Sequence, residues 1–188
     1  VLLVLTMLAV LFSLSWPSVL RYIGEEQIRG SAEAVRSAAL GGRIKAVDTG
    51  LRYQFRYEPA GRNFVVLPYD PPENIDGSAA GISAQTPAGT YPVEAGKIGE
   101  QCQFAVPEGT SALGPLAEQI PREAFGSLPH AAELAAVAWS PPVLFSPDGT
   151  ATDGWLQLSD DGGRQLPVFI RGLTGAVSIG PLSREAEP

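Results

Sequence analysis

The chain has 188 residues, 13 Lys and Arg against 20 Asp and Glu for a net charge of −7, with one Cys and one His. A single Cys excludes an internal disulfide framework, and one His beside one Cys leaves a zinc centre short of ligands. Charge is unevenly placed: residues 1–62 hold eight basic against five acidic side chains (+3), residues 63–188 five against fifteen (−10), so the body repels phosphate and nucleic acid is not expected as a partner.

Residues 1–20, VLLVLTMLAVLFSLSWPSVL, hold no charged side chain, and the first is Arg21. As a helix this run is ~30 Å long, about the hydrocarbon thickness of a bilayer. The hydroxyls of Thr6, Ser13 and Ser15 can bond back to carbonyls one turn earlier. A core helix would keep a polar face, and a cleaved signal would need small residues where bulky Trp16 and Pro17 stand. The stretch therefore reads as a retained membrane-spanning segment.

Residues 21–50 read as its amphipathic continuation. Glu25 and Arg29 are four apart, Glu33 and Arg36 three apart, and Ile28, Ala32, Val35 and Ala39 fall on one stripe. Pro17 lacks an N–H and predicts a kink, with Gly24 and Gly30 weaker breaks. Gly41 and Gly42 weaken the helix again, and Ile44, Val47 and Leu51 lie on another face, which predicts a bend or a change of packing partner. The helix is expected to end near Thr49 and Gly50, where glycine suits a left-handed cap.

Without residues 1–50 about 138 remain, enough for one domain over 51–188. Residues 51–57 alternate apolar and polar, a half-buried strand, and turn through 59–62 into a second strand over 63–69. Residues 70–90 read as a surface loop inserted between core strands. Residues 91–93 and 101–106 are candidate strands, the second carrying Cys102, which reads as a small buried hydrophobe. Residues 130–139 fit a short helix with His130 at its start and Glu133 outward. Then come a strand over 143–145 leading into Pro147-Asp148-Gly149, strands over 155–159 and 165–171 joined by Asp160-Asp161-Gly162-Gly163, a turn at 173–175, a strand over 176–179 and a frayed tail over 183–188.

An apolar helix interrupted by Pro17, continued as an amphipathic helix and followed by a β-rich domain resembles the type IV pilin-like proteins. With Phe145-Ser146-Pro147-Asp148-Gly149 and Leu173-Thr174-Gly175 punctuating the last strands, the chain is similar to the H-type minor pseudopilins of the type II secretion system, the general secretion pathway protein H and FimT-like group. The resemblance implies an α+β fold: a long N-terminal helix, its first half transmembrane, packed on a C-terminal antiparallel sheet or sandwich. It implies a structural subunit of the secretion pseudopilus, not an enzyme and without a cofactor. It also implies a single-pass inner-membrane protein with its C-terminal domain in the periplasm, whose processing motif would precede Val1. The implied partners are the lipid bilayer, the other major and minor pseudopilins, the prepilin peptidase that processes and methylates the N-terminus, the inner-membrane assembly platform and secreted cargo. The implied assembly residues are Val1, Leu5, Leu8, Leu11, Leu14, Trp16 and Pro17. Glu25, Glu26 and Arg29 are candidate subunit contacts, or equally a solvated helix face. Two alternatives stand beside this reading: a minor pilin of a type IV pilus or competence system, and a membrane-anchored periplasmic enzyme built around His130 or Cys102.

Catalytic chemistry finds little to use. A Ser-His-Asp or Cys-His system would have to use His130, yet no Gly-x-Ser-x-Gly elbow is present. Asp148, Asp153, Asp160 and Asp161 are oxygen ligands in type, but without EF-hand spacing, and turn formation explains each. No Gly-rich phosphate loop ending in Lys and Ser or Thr occurs.

Overall fold

The computed structural model describes the backbone of residues 2–69, 91–106, 118–126 and 128–184, and the side chains of these from residue 24 onward. Helix α1 (Leu2–Thr49) is followed by two antiparallel sheets. Sheet A joins β1 (Tyr53–Tyr57), β2 (Asn63–Pro68), β3 (Glu94–Lys97) and β5 (Val143–Phe145) in the order β3-β2-β1-β5. Sheet B joins β4 (Cys102–Phe104), β6 (Gly154–Asp160), β7 (Arg164–Arg171) and β8 (Ala176–Ile179) in that order, with a short β9 (Ser183–Arg184) also paired to β7. Between β4 and β5 lie a 3-10 turn (Arg122–Phe125) and a short helix α2 (Ala131–Ala135). The fold is α+β, one long helix packed on antiparallel sheets.

The core forms where the helix stripe meets both sheets. Ile28, Ala32, Val35, Ala39 and Ala46 are fully buried against Tyr53 and Phe55 of sheet A and Phe104, Leu158, Leu166 and Val168 of sheet B. Ile28, Ala32, Val35 and Ala39, three and four apart, share one face as the sequence stripe predicts, and Ala46, seven further on, extends it. A second cluster, Val65, Leu67, Phe125, Leu134 and Trp139, covers the far side of sheet A.

That second layer changes the reading of β1. Alternation over residues 51–57 predicts a strand with its polar side in water, but all five residues of Tyr53–Tyr57 are buried. Polar Gln54 and Arg56 are tolerated because they satisfy each other: Arg56 Nε donates to Gln54 Oε1 (2.7 Å), and its guanidinium reaches Glu118 Oε2 (2.9 Å). Glu118 belongs to the covering segment, held by an antiparallel bridge to Trp139. A period of two reports which residues share a face and is silent on whether another layer covers that face.

Other departures have local causes. The expected strand over 91–93 is displaced to Glu94–Lys97, where a Cβ at Gly96 would run into the tip of the Phe64 ring. Helix α2 stops at Ala135, short of the expected 139, because Trp139 turns inward and its indole donates to the Leu134 carbonyl (3.1 Å). The tail pairs through Ser183 and Arg184 with Gln165 and Arg164 before it could fray. The loop expected over 70–90 and residues 185–188 lie outside the described residues.

Helix α1 is one helical element through Pro17, Gly24, Gly30 and Gly42 to Thr49, with no break at these positions. Two of its glycines are points of close approach. At Gly24 an added Cβ would run into the guanidinium of Arg164, and at Gly42 it would press on Val66 (3.1 Å) and Phe145 (3.3 Å). Since the helix continues, Ile44 and Val47 point to solvent, 59% and 51% exposed.

The expected assembly and membrane residues Val1, Leu5, Leu8, Leu11, Leu14, Trp16 and Pro17 have side chains outside the described residues. Among the described residues no helix is long and apolar enough to cross a membrane. The part of α1 with described side chains carries Glu25, Glu26, Arg29, Glu33, Arg36, Arg43, Lys45 and Asp48, and α2 has five residues. The expectation of a single-pass inner-membrane protein with a periplasmic C-terminal domain is corrected on that finding.

Candidate assembly surface

The helix is clasped to the head at its charged and small residues as well as at its stripe. Near Gly24, Arg164 is fixed by Asp160, whose Oδ2 accepts from Nε at 2.6 Å while Oδ1 accepts the Gly162 and Arg164 amides. Two turns on, Ser31 Oγ donates to the Gln27 carbonyl (2.8 Å) and accepts the Gly99 amide (3.1 Å), tying the turn before β4 to the helix. Arg36 Nε donates to the Val177 carbonyl, and Lys45 pairs with Glu94 of the edge strand.

The most informative clasp is at Arg43. Its Nε donates to the Gly149 carbonyl (2.9 Å), and a Cβ at Gly175, which has φ +58°, would meet both Arg43 Cδ and the Gly149 carbonyl at 2.7 Å. Pro147-Asp148-Gly149 and Leu173-Thr174-Gly175, far apart in sequence, thus close on one helix side chain. The turns are built as their composition dictates: Asp148 Oδ1 accepts the Thr150 amide (2.9 Å) and hydroxyl (2.7 Å), which holds its carboxyl below the usual range. Asp153 Oδ1 accepts the Gly172 amide (2.7 Å). Sequence reading singled out both turns and missed Arg43, since an arginine on a helix carries no local mark of the carbonyl it will meet.

The candidate subunit contacts on α1 are at the surface. Glu25 and Arg29 pair with each other (2.9 Å), both side chains about half exposed, and Glu26 is exposed. The structure brings Glu25 and Arg29 together within their own helix.

The two groups weighed for catalysis lie in different layers. His130 is exposed on the segment covering sheet A, its Nδ1 3.2 Å from Glu133 Oε1. Cys102 is buried in sheet B facing α1, and burial pushes its thiol up, with Ser31 opposing. A polar cavity of about 400 Å³ reaches Cys102, walled chiefly by Glu58, Arg62, Lys97, Glu100 and Asp161. A thiol held protonated by burial and without a histidine beside it is a poor nucleophile. Among the described residues no three His, Cys, Asp or Glu side chains are grouped to hold a metal ion.

Exposed apolar surface is concentrated elsewhere. Trp155 and Phe169 are cross-strand partners on the outer face of sheet B, 55% and 42% exposed. Phe169 is opposite Ser178 of β8, and Arg171, two residues on, shares its face. These residues and Asp153 line a shallow groove of about 520 Å³.

No family model matches the chain, and no curated protein matches it. Among solved structures it is similar to a minor pseudopilin. That protein is EpsH of the type 2 secretion system of Vibrio cholerae; the likeness covers 86% of this chain and 99% of the other, at 14% identity and a TM-score of 0.45.

Proposed function

We propose that this chain is a minor subunit of a pilin-like filament, of the pseudopilin type that builds the type II secretion pseudopilus, and that it acts through geometry rather than catalysis. The observation that carries the reading is the division of α1. From Gly24 to Ala46 the helix is sunk into both sheets and clasped at Arg164, Ser31 and Arg43. Residues 2–23 continue the same helix for about 30 Å more. A rod held rigidly by its own head transmits the orientation of one end to the other, which a subunit stacked by its helix requires. The meeting of the Pro-Asp-Gly and Leu-Thr-Gly turns on Arg43 supports the same reading, because it gives the two segments that carry the sequence resemblance a common task in seating the rod.

The other pilin-like subunits of the same filament are the proposed partners. The full chain, expressed with them, is expected to co-purify with at least one and to enter filaments. A chain that stays monomeric beside all of them at high concentration refutes the proposal.

A further inference from the structure

The edge of a sheet carries N–H and C=O groups that no ladder satisfies, and here the edges are β3 and β5 in sheet A, β4 and β8 in sheet B. All but one are engaged by other parts of the chain. On β4 the β1–β2 turn takes the outward groups of Phe104, whose amide donates to the Gly61 carbonyl (2.9 Å) and whose carbonyl accepts the Ala60 amide (2.9 Å), while the Cys102 amide donates to the Gly99 carbonyl. On β5 the Leu144 amide donates to Thr152 Oγ1 (2.9 Å) and the Leu144 carbonyl accepts the Thr152 amide (2.8 Å). Strand β8 lies beside α1, and the Val177 carbonyl that points away from β7 accepts from Arg36 Nε (3.3 Å).

The edge of β3 is different. Ile98 donates to the Arg62 carbonyl (3.0 Å), and the register of Gly96 with Phe64 and Glu94 with Val66 continues that alternation. Gly96 and Glu94 therefore turn their backbone groups to β2, and Ala95 and Lys97 turn theirs outward. At the next outward residue the Gly99 amide is already taken by Ser31 Oγ. Among the described residues nothing accepts from the Ala95 and Lys97 amides or donates to their carbonyls. Donors and acceptors repeating every ~7 Å are the complement of one extended backbone. The flanks suit it: Ala95 and Gly96 are small, and Glu94 is drawn to Lys45 of α1. The edge leads into the polar cavity of about 400 Å³, where Lys97 and Arg62 stand with Glu100 and Asp161. Its shortness and its lysine guard it against indiscriminate pairing and leave it open to one matched strand.

We propose that β3 is a docking edge, to which an extended segment of a different pilin-like subunit adds as a further strand of sheet A, its backbone bonded to Ala95 and Lys97. The inference rests on the reading of the chain as a filament subunit and names how one neighbour is held. The pairing of Glu94 with Lys45 puts the edge beside α1, the element along which neighbours stack in that reading. Backbone recognition asks for a segment without proline at the paired positions, and the cavity at the end of the edge favours a polar side chain there.

The test uses the full chain. Proline at position 95 removes an outward donor and sets its ring on the open edge, yet keeps the ladder to β2, in which the Ala95 amide takes no part. Ala95→Pro is expected to leave thermal unfolding close to that of the unmodified chain and to cut capture of the co-expressed pilin-like subunits roughly tenfold or more. Hydrogen exchange resolved to single amides needs no variant and decides the matter should Ala95→Pro fail to fold. The Ala95 and Lys97 amides are expected to exchange fast in the free chain and roughly tenfold or more slowly in the complex, with the Gly96 amide protected in both. Undiminished capture by a folded Ala95→Pro chain, amides at Ala95 and Lys97 already protected in the free chain, or amides equally fast in the complex overturns the docking edge. So does an unmodified chain that self-associates in sedimentation and loses that association with Ala95→Pro, since the occupant is then a second copy. After any of these results, capture of the other subunits by the unmodified chain leaves the filament reading standing, whereas a chain that captures none of them refutes both.

Discussion

One substitution made at two points of α1 tests whether the helix is seated as described. Gly30 has open space where a Cβ would go, whereas Gly24 lies under the Arg164 guanidinium. Replacing an interior helix glycine by alanine favours the helix by about 1 kcal/mol, because glycine has more chain entropy to lose. Gly30→Ala should therefore stabilise the chain by about that amount, which at this length raises Tm by roughly 2–4 °C. At Gly24 the same gain is set against displacement of Arg164 from Asp160, whose side chain is only 3% exposed. Separating a largely buried carboxylate from its cation costs about 3–5 kcal/mol when complete. Partial displacement of a flexible side chain costs less, so Gly24→Ala should be net destabilising by about 1–2 kcal/mol. Denaturant unfolding of the full chain followed by circular dichroism reads both values, and the contrast between them matters more than either. Equal stabilisation by the two substitutions would mean that Arg164 does not rest on the helix, and the seating of α1 described above would be wrong at its first clasp.

Three further outcomes follow from the packing. Trp139→Ala removes the largest side chain of the cluster behind sheet A and should cost about 3–5 kcal/mol, read as a lowered denaturation midpoint; no loss would show that the 118–140 segment is not a structural layer. Glu118→Ala should cost about 1 kcal/mol, since buried Arg56 keeps Gln54 as a partner and the lost carboxylate is mostly exposed; a loss above 3 kcal/mol would mean that Gln54 does not hold the guanidinium. Cys102 should react with a thiol reagent far more slowly in the folded chain than in denaturant. Because burial raises its pKa, its contribution to stability is intact below the ordinary thiol value of 9.0 and is lost as pH rises beyond it, where the unfolded chain ionises first. Cys102→Ala should flatten that alkaline decline, and an unchanged slope would place the titration elsewhere.

Much of the architecture is local information. The buried stripe of α1, the hairpins β1–β2 and β6–β7, and the turns around Asp148 and Asp160 follow from spacing and from residues whose side chains bond their own backbone. The end of α1 at Thr49, followed by Gly50 at φ +71°, is equally local. Tertiary structure decided what covers what. Gln54 and Arg56 look like the wet side of a strand until a layer some sixty residues away supplies Glu118 and the Trp139 cluster. Gly24 and Gly42 look like weak points of a helix until Arg164 and Phe145 need the space. Ile44 and Val47, which a sequence pattern assigns to some buried face, stay in water because the helix runs on to Thr49 with Gly42 and Ala46, not these two, turned to the sheets. Periodicity along a chain ranks residues by face, whereas burial depends on which distant segment arrives at that face, and that is settled only when the whole chain has packed.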